Sequence, residues 1–201
     1  MPDLAVHDFD ELEPPPGATQ GWRHAANEEW LQRALAYQEA GRDLFLCGQT
    51  PLGELLATPS ATKINGISAC LIDCDDETRA ARIQARGSRW FERTAGHLQS
   101  EFSWEEWIAR HISWAKWLRE HAADPTSRPD AILNPSETGM VWSRWTDLKP
   151  GDPRWRVHVI DTTSLDPEGV VDDLVSWIEA EHALLTEGKH PWALAVEGTE
   201  A

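Results

Sequence analysis

The sequence is short of cysteine, of basic residues and of long apolar runs, and each shortage excludes a class of protein. Its three cysteines are Cys47, Cys70 and Cys74. Because this number is odd and we find no signal peptide, we expect a reducing, cytoplasmic location. Cys70 and Cys74 lack the second ligand pair that a structural zinc site needs. No apolar run approaches the roughly 18 residues that span a bilayer, so the sequence predicts no membrane segment.

The charge balance is strongly acidic. The chain has 34 Asp and Glu residues against 18 Lys and Arg residues, which gives a formal net charge of −16. This charge opposes binding to nucleic acid and to anionic membranes, so we expect neither as a partner. Five arginines nevertheless crowd into one short stretch: Arg79, Arg82, Arg86, Arg89 and Arg93. A local basic patch on an acidic protein favours a small anionic molecule as the ligand.

Short apolar runs alternate with amphipathic segments along the chain. Runs typical of buried strands occupy residues 4–6, 44–47, 67–72 and 157–160, and helical patterns occupy residues 22–40, 76–86, 104–121 and 170–185. This alternation predicts one α/β domain over residues 1–186, with a parallel sheet that helices cover on both faces. We expect a tryptophan-rich helical lid or cover over residues 88–155 and a flexible acidic tail over residues 187–201.

Polar residues follow all four predicted strands. They are Asp8 and Asp10, then Gly48 and Gln49, then Asp73 and Asp75, and finally Asp161, Thr162 and Thr163. Ligands of parallel sheets bind at the carboxyl ends of the strands. Turn formation explains any one of these groups, but the four together predict a binding pocket at that edge.

The first strand ends in two carboxylates that share one face, since side chains alternate along a strand. Asp8 is suited to bind a metal ion or to act as a base, and Asp10 to orient a substrate hydroxyl. The alternative is that both are turn residues. Gln49 and Glu54 flank the next strand's Pro/Gly loop. Either residue is a candidate for substrate contact, although loops favour polar residues in any case.

Arg79, Arg82 and Arg86 are spaced by three and four residues, so a helix would present them on one face. Guanidinium groups bind phosphate oxygens in a bidentate fork and stay charged. The spacing therefore fits a lid that closes over a polyphosphate. The alternative is a solvated face whose arginines pair with nearby carboxylates at Asp75, Asp76 and Glu77.

Twelve tryptophans are present, many of them between Trp90 and Trp155. They are either a stacking platform for rings or bases or part of the core, and their helical spacing favours packing. His111 lies on the apolar stripe of the helix predicted over residues 104–121. We therefore interpret it as a partly buried packing residue rather than a general base.

The order of these pieces resembles a P-loop kinase of the shikimate, gluconate and nucleotide kinase-like branch. Asp8-Phe9-Asp10 resembles the D-x-D motif at the end of that family's second strand. Arg79-Ala80-Ala81-Arg82 resembles its R-x-x-R lid helix, and residues 159–163 resemble its last strand with the adenine-side turn. The segments CGQTPLGELLATPSA and HAADPTSRPD also resemble a group of uncharacterised bacterial ATPase or kinase-like proteins. The resemblance covers roughly residues 4–185.

This resemblance implies a three-layer parallel sheet and the cofactors ATP and Mg²⁺. It implies that Asp8 and Asp10 are catalytic and that Asp8 is a metal ligand. The implied nucleotide-binding residues are Arg79, Arg82, Arg86, Asp161, Thr162 and Thr163, and the substrate-binding candidates remain Gln49 and Glu54.

The sequence departs from the family in one large respect, because it contains no G-x-x-x-x-G-K-[ST] phosphate-binding motif. Only Met1-Pro2-Asp3 precedes the first strand. We therefore expect an N-terminally incomplete sheet whose neighbouring strands lose a ladder partner, and a numbering that starts at an internal methionine. The alternative is a degenerate family member with a rebuilt sheet.

Two functional hypotheses follow. The first is an ATP-dependent phosphotransferase for a small hydroxylated metabolite or nucleoside, inactive as the 201-residue chain because the P-loop is absent. The second is a non-catalytic nucleotide- or metabolite-binding or regulatory protein that kept the pocket and lost the chemistry.

Overall fold

Four short strands and a series of helices follow one another in the order that the sequence predicts. The computed structural model describes residues 3–15, 18–87, 103–127, 132–134 and 139–192. Its strands are β1 (Leu4–Asp8), β2 (Asp43–Cys47), β3 (Ala69–Asp73) and β4 (Val157–Asp161). Its helices are α1 (Gln20–Glu39), α2 (Leu52–Ala57), α3 (Asp76–Arg86), α4 (Trp104–Ala123), α5 (Ser143–Thr146) and α6 (Pro167–Thr186), with 3₁₀ helices at Phe9–Leu12 and Pro59–Lys63. Over these ranges no helix has the length and apolar character needed to cross a membrane.

The strands form two separate parallel pairs. β1 pairs with β2 in the register Leu4 to Asp43, and β3 pairs with β4 in the register Ala69 to Val157. The predicted α/β class and the parallel pairing are confirmed. The predicted single three-layer sheet is not formed within the described residues, because β2 and β3 do not pair and a cavity lies between them.

Local sequence signals set the ends of the long helices. The Asp75 carboxylate caps α3 by accepting a hydrogen bond from the Thr78 N–H at 2.6 Å. Gly87 ends that helix with a φ of +74°, a value that glycine adopts without strain. Ser103 and Glu106 form a capping box at the start of α4. These signals explain why α3 has the bounds that the sequence predicts.

The main hydrophobic core lies on one face of the strands, where α1, α2 and α5 meet. Its buried members are Leu31, Leu52, Leu56, Ala57, Ala61, Ile67, Ile132, Trp145, Leu148, Trp155 and Trp192. A second cluster of Phe9, Ala26 and Trp30 joins α1 to the first strand pair. The packing role predicted for the tryptophans is confirmed for Trp145 and Trp155. His111 is partly buried, as predicted.

Two regions differ from the sequence-based prediction. The segment between β2 and β3, expected to be a loop, contains α2 and the 3₁₀ helix Pro59–Lys63. The first part of the predicted flexible tail is packed, since His190 and Trp192 are buried, and Trp192 Nε1 donates a hydrogen bond to the Ala61 carbonyl at 3.2 Å. Residues 88–102, 128–131 and 135–138 of the predicted lid lie outside the described ranges, as do residues 193–201 of the tail.

Candidate functional site

A cavity of about 890 Å³ separates the two strand pairs. We call it the inter-sheet cavity. All five residues of β2 and all five residues of β3 line it, together with side chains from α1, α4 and α6. The cavity therefore lies between the edges of β2 and β3 and is bordered by α1, α4 and α6.

The strands β2 and β3 run in the same direction along this cavity. At the start of β2, Asp43 Oδ2 lies 2.6 Å from His182 Nδ1 of α6. Directly before β3, Ser68 Oγ donates a hydrogen bond to Glu181 Oε2 of α6 at 2.7 Å. Because both strand starts contact the same turn of α6, both carboxyl ends lie at the other end of the cavity. We call that end the carboxyl mouth, formed by Gln49, Asp73, Arg79 and His111.

Asp73 organises a cluster of charges at the carboxyl mouth. Arg79 donates a hydrogen bond to Asp73 Oδ1, and Arg119 Nε lies 3.2 Å from Asp73 Oδ2. Arg119 also binds Asp76, and this hydrogen bond raises the pKa of the Arg119 guanidinium. The Nε atom of Arg79 is buried and has no hydrogen-bond partner among the described residues. The Nε–H group of Arg79 is therefore a hydrogen-bond donor that no described residue uses.

Arg82 has a different set of partners from Arg79. Its guanidinium donates hydrogen bonds to Thr162 Oγ1 at 2.7 Å and to the Thr162 carbonyl at 2.6 Å. Thr162 in turn donates from its N–H and its hydroxyl to the Asp73 carbonyl, both at 2.8 Å. Arg82 thus ties α3 to the ends of β3 and β4. Arg86 lies in the last turn of the same helix, and its charge helps to lower the pKa of His111, for which burial is the larger cause.

Asp161 and Thr163 complete the turn after β4. The Asp161 carboxylate accepts a hydrogen bond from the Thr163 N–H at 2.9 Å. Hydrogen bonding from the Thr163 side chain, and secondly from its N–H, lowers the pKa of Asp161. The Thr163 hydroxyl accepts from the Asp75 N–H at 3.0 Å. The predicted adenine-side residues therefore form a rigid turn beside the start of α3.

Asp8 ends β1, the outer strand of the first pair, and Asp10 follows in the 3₁₀ helix Phe9–Leu12. Asp8 Oδ1 accepts from the Asp10 N–H at 2.9 Å, and Glu11 Oε1 accepts from the Asp8 N–H at 3.0 Å. These bonds form the capping box of the 3₁₀ helix Phe9–Leu12. β2 separates both carboxylates from the cavity, so the structure does not bring them together with the arginines of α3.

Glu54 is fully buried and does not line the cavity. Its carboxylate accepts from Arg23 Nε at 2.7 Å and from Asn27 Nδ2 at 3.0 Å. Burial raises the pKa of Glu54, and the Arg23 charge opposes that rise. Arg23 also donates to the Gln49 carbonyl. Glu54 therefore positions the loop that carries Gln49. No sequence pattern indicates Arg23 or Asn27 as its partners, because these contacts are tertiary.

His121 is a further cavity-lining residue that the sequence analysis did not single out. Its ring lies between Trp145 and Trp155, with centroids 5.1 Å and 4.8 Å away. Nδ1 lies 2.8 Å from the Ser127 carbonyl, so Nδ1 carries the proton and Nε2 is an acceptor. Nε2 has no hydrogen-bond partner in the described part of the chain. Burial lowers the pKa of His121, which keeps the ring neutral.

The residues present do not fit a complete site for ATP and Mg²⁺. Both oxygens of Asp73 face arginines, and the described residues contain no group of three His, Cys, Asp or Glu side chains that could hold a metal ion. The turn after β2 offers one glycine, Gly48, at a φ of +127°. A Cβ there would lie 2.7 Å from Phe9 Cβ, so Gly48 serves close packing rather than a phosphate cradle.

Comparisons with known proteins identify no relative. No family model, no curated protein and no solved structure matches this chain.

Proposed function

We propose that this chain forms the acceptor and lid side of a phosphotransferase that acts on a small hydroxylated metabolite or nucleoside. The observation that carries the proposal is the position of Arg79 at the carboxyl mouth, across the inter-sheet cavity from Gln49. Its Nε donor is unpartnered among the described residues. The Arg79 side chain is 24% exposed and lines the cavity. A partly exposed guanidinium at a cavity mouth is suited to bind a phosphate oxygen.

The finer fold assignment, a three-layer sheet of the P-loop kinase type, is part of the same proposal. The sequence resemblance implies that the family's first strand lies in the middle of the sheet. The inter-sheet cavity, which separates β2 from β3, supports this assignment because it lies in the middle of the strand arrangement.

The candidate residues take distinct roles in this proposal. Arg79 binds a phosphoryl oxygen, and Arg82 and Arg86 hold the helix and strand ends around it. Gln49, in the turn after β2, contacts the substrate. Glu54 holds this turn in place through Arg23, which binds both Glu54 and the Gln49 carbonyl. Asp8 and Asp10 take no part in this site, because β2 separates them from the cavity and they cap the 3₁₀ helix Phe9–Leu12. The turn Asp161, Thr162 and Thr163 borders the base.

ATP and Mg²⁺ are the cofactors that the resemblance implies, and they supply the transferable phosphoryl group and its charge neutralisation. The described residues include no backbone cradle that would hold the phosphates of ATP for transfer. We propose that the 201-residue chain alone binds a phosphorylated ligand without transferring phosphate. This incompleteness favours a second candidate function for the isolated chain, namely non-catalytic binding of a nucleotide or metabolite.

Isothermal calorimetry with ADP, in the presence and absence of Mg²⁺, tests the binding proposal. We expect a single site, and we expect Arg79→Ala to weaken binding by about tenfold or more because one charge-assisted contact is lost. Arg33→Ala is the matched control, since it removes the same charge from the exposed side of α1.

Two results would contradict the proposal: no binding of ADP, ATP or pyrophosphate, or equal affinity in the Arg79→Ala variant and the wild-type chain. A kinase assay on the same samples separates the two candidate functions. Phosphate transfer that Arg79→Ala abolishes would show that the 201-residue chain is an active enzyme.

A further inference from the structure

Asp73 is a buried carboxylate that two arginines from different helices share. It is the last residue of β3 and is 7% exposed. Arg79 of α3 donates a hydrogen bond to Asp73 Oδ1, and Nε of Arg119 in α4 lies 3.2 Å from Asp73 Oδ2. Because the two guanidinium groups bind opposite oxygens of one carboxylate, neither of them displaces the other.

The two arginines differ in their access to the inter-sheet cavity. Arg79 lines the cavity, and its side chain is 24% exposed. Arg119 is not among the cavity-lining residues, and its guanidinium also binds Asp76 in the first turn of α3. A ligand at the carboxyl mouth therefore meets Arg79, whereas Arg119 is fixed by one carboxylate of β3 and one of α3.

A phosphate group at the carboxyl mouth and the Asp73 carboxylate would compete for the same cation. Both are oxyanions that accept charge-assisted hydrogen bonds from a guanidinium. The Nε atom of Arg79 is buried, so a ligand reaches the terminal nitrogens, one of which already donates to Asp73. Since two anions on one guanidinium repel each other, the contact between Asp73 and Arg79 opposes ligand binding.

Arg119 offsets this opposition, because it gives Asp73 a second cationic partner. A buried carboxylate that loses its last counter-charge is strongly destabilising, whereas a carboxylate that keeps a hydrogen-bonded cation is tolerated. Arg119 already contacts Asp73, and Asp76 holds it in that position. Arg79 can therefore bind a ligand while Asp73 stays paired with Arg119.

We propose that Arg119 is a positioning residue of the ligand site and acts through Asp73, which is an internal competitor for Arg79. Arg119 keeps the Asp73 carboxylate paired when the terminal nitrogens of Arg79 bind a phosphate oxygen. This inference rests on the phosphate ligand proposed above, and it adds a built-in autoinhibitory contact together with the residue that relieves it.

Isothermal calorimetry with ADP tests the proposal on four forms of the full 201-residue chain: wild type, Asp73→Asn, Arg119→Ala and the double variant. We expect Asp73→Asn to tighten binding by about fivefold, because the competing charge is removed. We expect Arg119→Ala to weaken binding by about tenfold or more, because Asp73 then depends on Arg79 alone. The double variant should bind within about twofold of Asp73→Asn, since no carboxylate is left for Arg119 to pair.

Two matched controls remove the same charges elsewhere on the same helices. Glu77→Gln removes an exposed carboxylate from the first turn of α3, and Lys116→Ala removes a 68% exposed cation from α4. Because exposed charges are screened, we expect each to change the ADP affinity by less than about twofold.

A measurement on the wild-type chain does not depend on whether the variants fold. We expect the ¹H–¹⁵N resonance of the Arg119 Nε–H group to move when ADP is added, because Arg119 then becomes the main partner of Asp73. An unmoved Arg119 resonance at saturating ADP would overturn the proposal.

Two calorimetric results would also overturn it and leave the phosphate ligand standing. The first is weaker binding by Asp73→Asn than by the wild-type chain, which would show that Asp73 orients Arg79 rather than competing for it. The second is an equal effect of Arg119→Ala with and without Asp73, which would show that Arg119 acts on the ligand directly. Absence of ADP binding in all four forms would instead contradict the ligand itself, and this inference with it.

Discussion

At the scale of single residues, two arginines one turn apart on α3 have different partners. Arg79 binds one carboxylate oxygen and keeps a buried donor beside the cavity. Arg82 uses two nitrogens on Thr162. The R-x-x-R spacing predicts that both arginines lie on one face of the helix. It does not predict which of the two will form hydrogen bonds with Thr162 at the end of β4. That distinction depends on the Thr162 turn, which is far away in the sequence.

Glu54 offers a test of the buried network behind Gln49. Removing its carboxylate in Glu54→Ala leaves the Arg23 charge without its carboxylate partner and Asn27 Nδ2 without its acceptor, so we expect a loss of about 3 kcal/mol in the free energy of unfolding. Urea denaturation measures it. Glu29→Ala, which removes an exposed carboxylate paired with Arg33, is the control with an expected change below about 0.5 kcal/mol. Equal effects of the two substitutions would show that the Glu54 network is not structural.

His121 predicts a pH dependence of stability. Burial lowers the pKa of the folded-state ring below the ordinary value of 6.5, so the unfolded chain binds the proton more readily. The stabilising contribution is complete above pH 6.5 and is lost as the pH falls below it. We expect His121→Gln to show a smaller loss of unfolding free energy between pH 7.5 and about pH 5 than the wild-type chain. Parallel pH profiles would contradict a buried neutral His121.

At the scale of elements, α3 joins two strand ends rather than standing free as a lid. The contacts of Arg82 and Thr162 bind it to β3 and β4, and Asp73 holds Arg79 and Arg119 together. The helix that the sequence suggested as a lid is therefore anchored at its N-terminal half. Only its last turn, which carries Arg86, extends beyond these contacts.

A double-mutant cycle tests this anchoring. Arg82→Ala and Thr162→Val both remove the hydrogen bond between the Arg82 guanidinium and Thr162 Oγ1. Arg82→Ala also removes the bond to the Thr162 carbonyl, and Thr162→Val also removes the bond from the hydroxyl to the Asp73 carbonyl. Each variant is expected to lower the free energy of unfolding by about 1 to 2 kcal/mol. The double variant should lose less than the sum of the two. Urea denaturation of the three variants gives the coupling energy. Strictly additive losses would show that Arg82 does not stabilise the ends of β3 and β4 through Thr162.

Strand and helix positions could be predicted from the sequence where the local signal is strong. The Asp75 cap and Gly87 give the bounds of α3, and the apolar run Leu-Phe-Leu gives β2. α2 was missed because its six residues lie between Pro51 and Pro59, which indicate a loop. The burial of Trp192 was also missed, since its contact with Ala61 joins residues that are distant in the sequence.

The candidate site could be predicted only in part. The polar strand ends predict a site at the carboxyl edge of the sheet, and Gln49, Asp73 and Arg79 all line the inter-sheet cavity. That they form one ligand site stays a prediction. Asp8 and Asp10 do not join them, because which strand lies outermost is decided by pairing and not by local sequence. Arg23, Asn27 and His121 carry no sequence pattern, since their roles come from tertiary contacts.

At the scale of the whole molecule, the two faces of the strands carry different elements. One face carries the main core, in which Trp145 is completely buried, and the second cluster, in which Trp30 is completely buried. The other face carries α6 and the exposed side chains of Val6 and Ile72, while Val159 is exposed on the core face. The cavity between the strand pairs is lined by residues of α1 and α6, and the proposed ligand binds at its carboxyl mouth.

The most direct test of the proposed ligand site is a ¹H–¹⁵N NMR titration of the 201-residue chain with ADP. We predict that the largest chemical-shift changes occur at Gly48, Gln49, Arg79 and His111, around the carboxyl mouth, and that Arg79→Ala removes them. Shift changes confined to Asp8 and Asp10, or to α6, or no changes at millimolar ADP, would contradict the account.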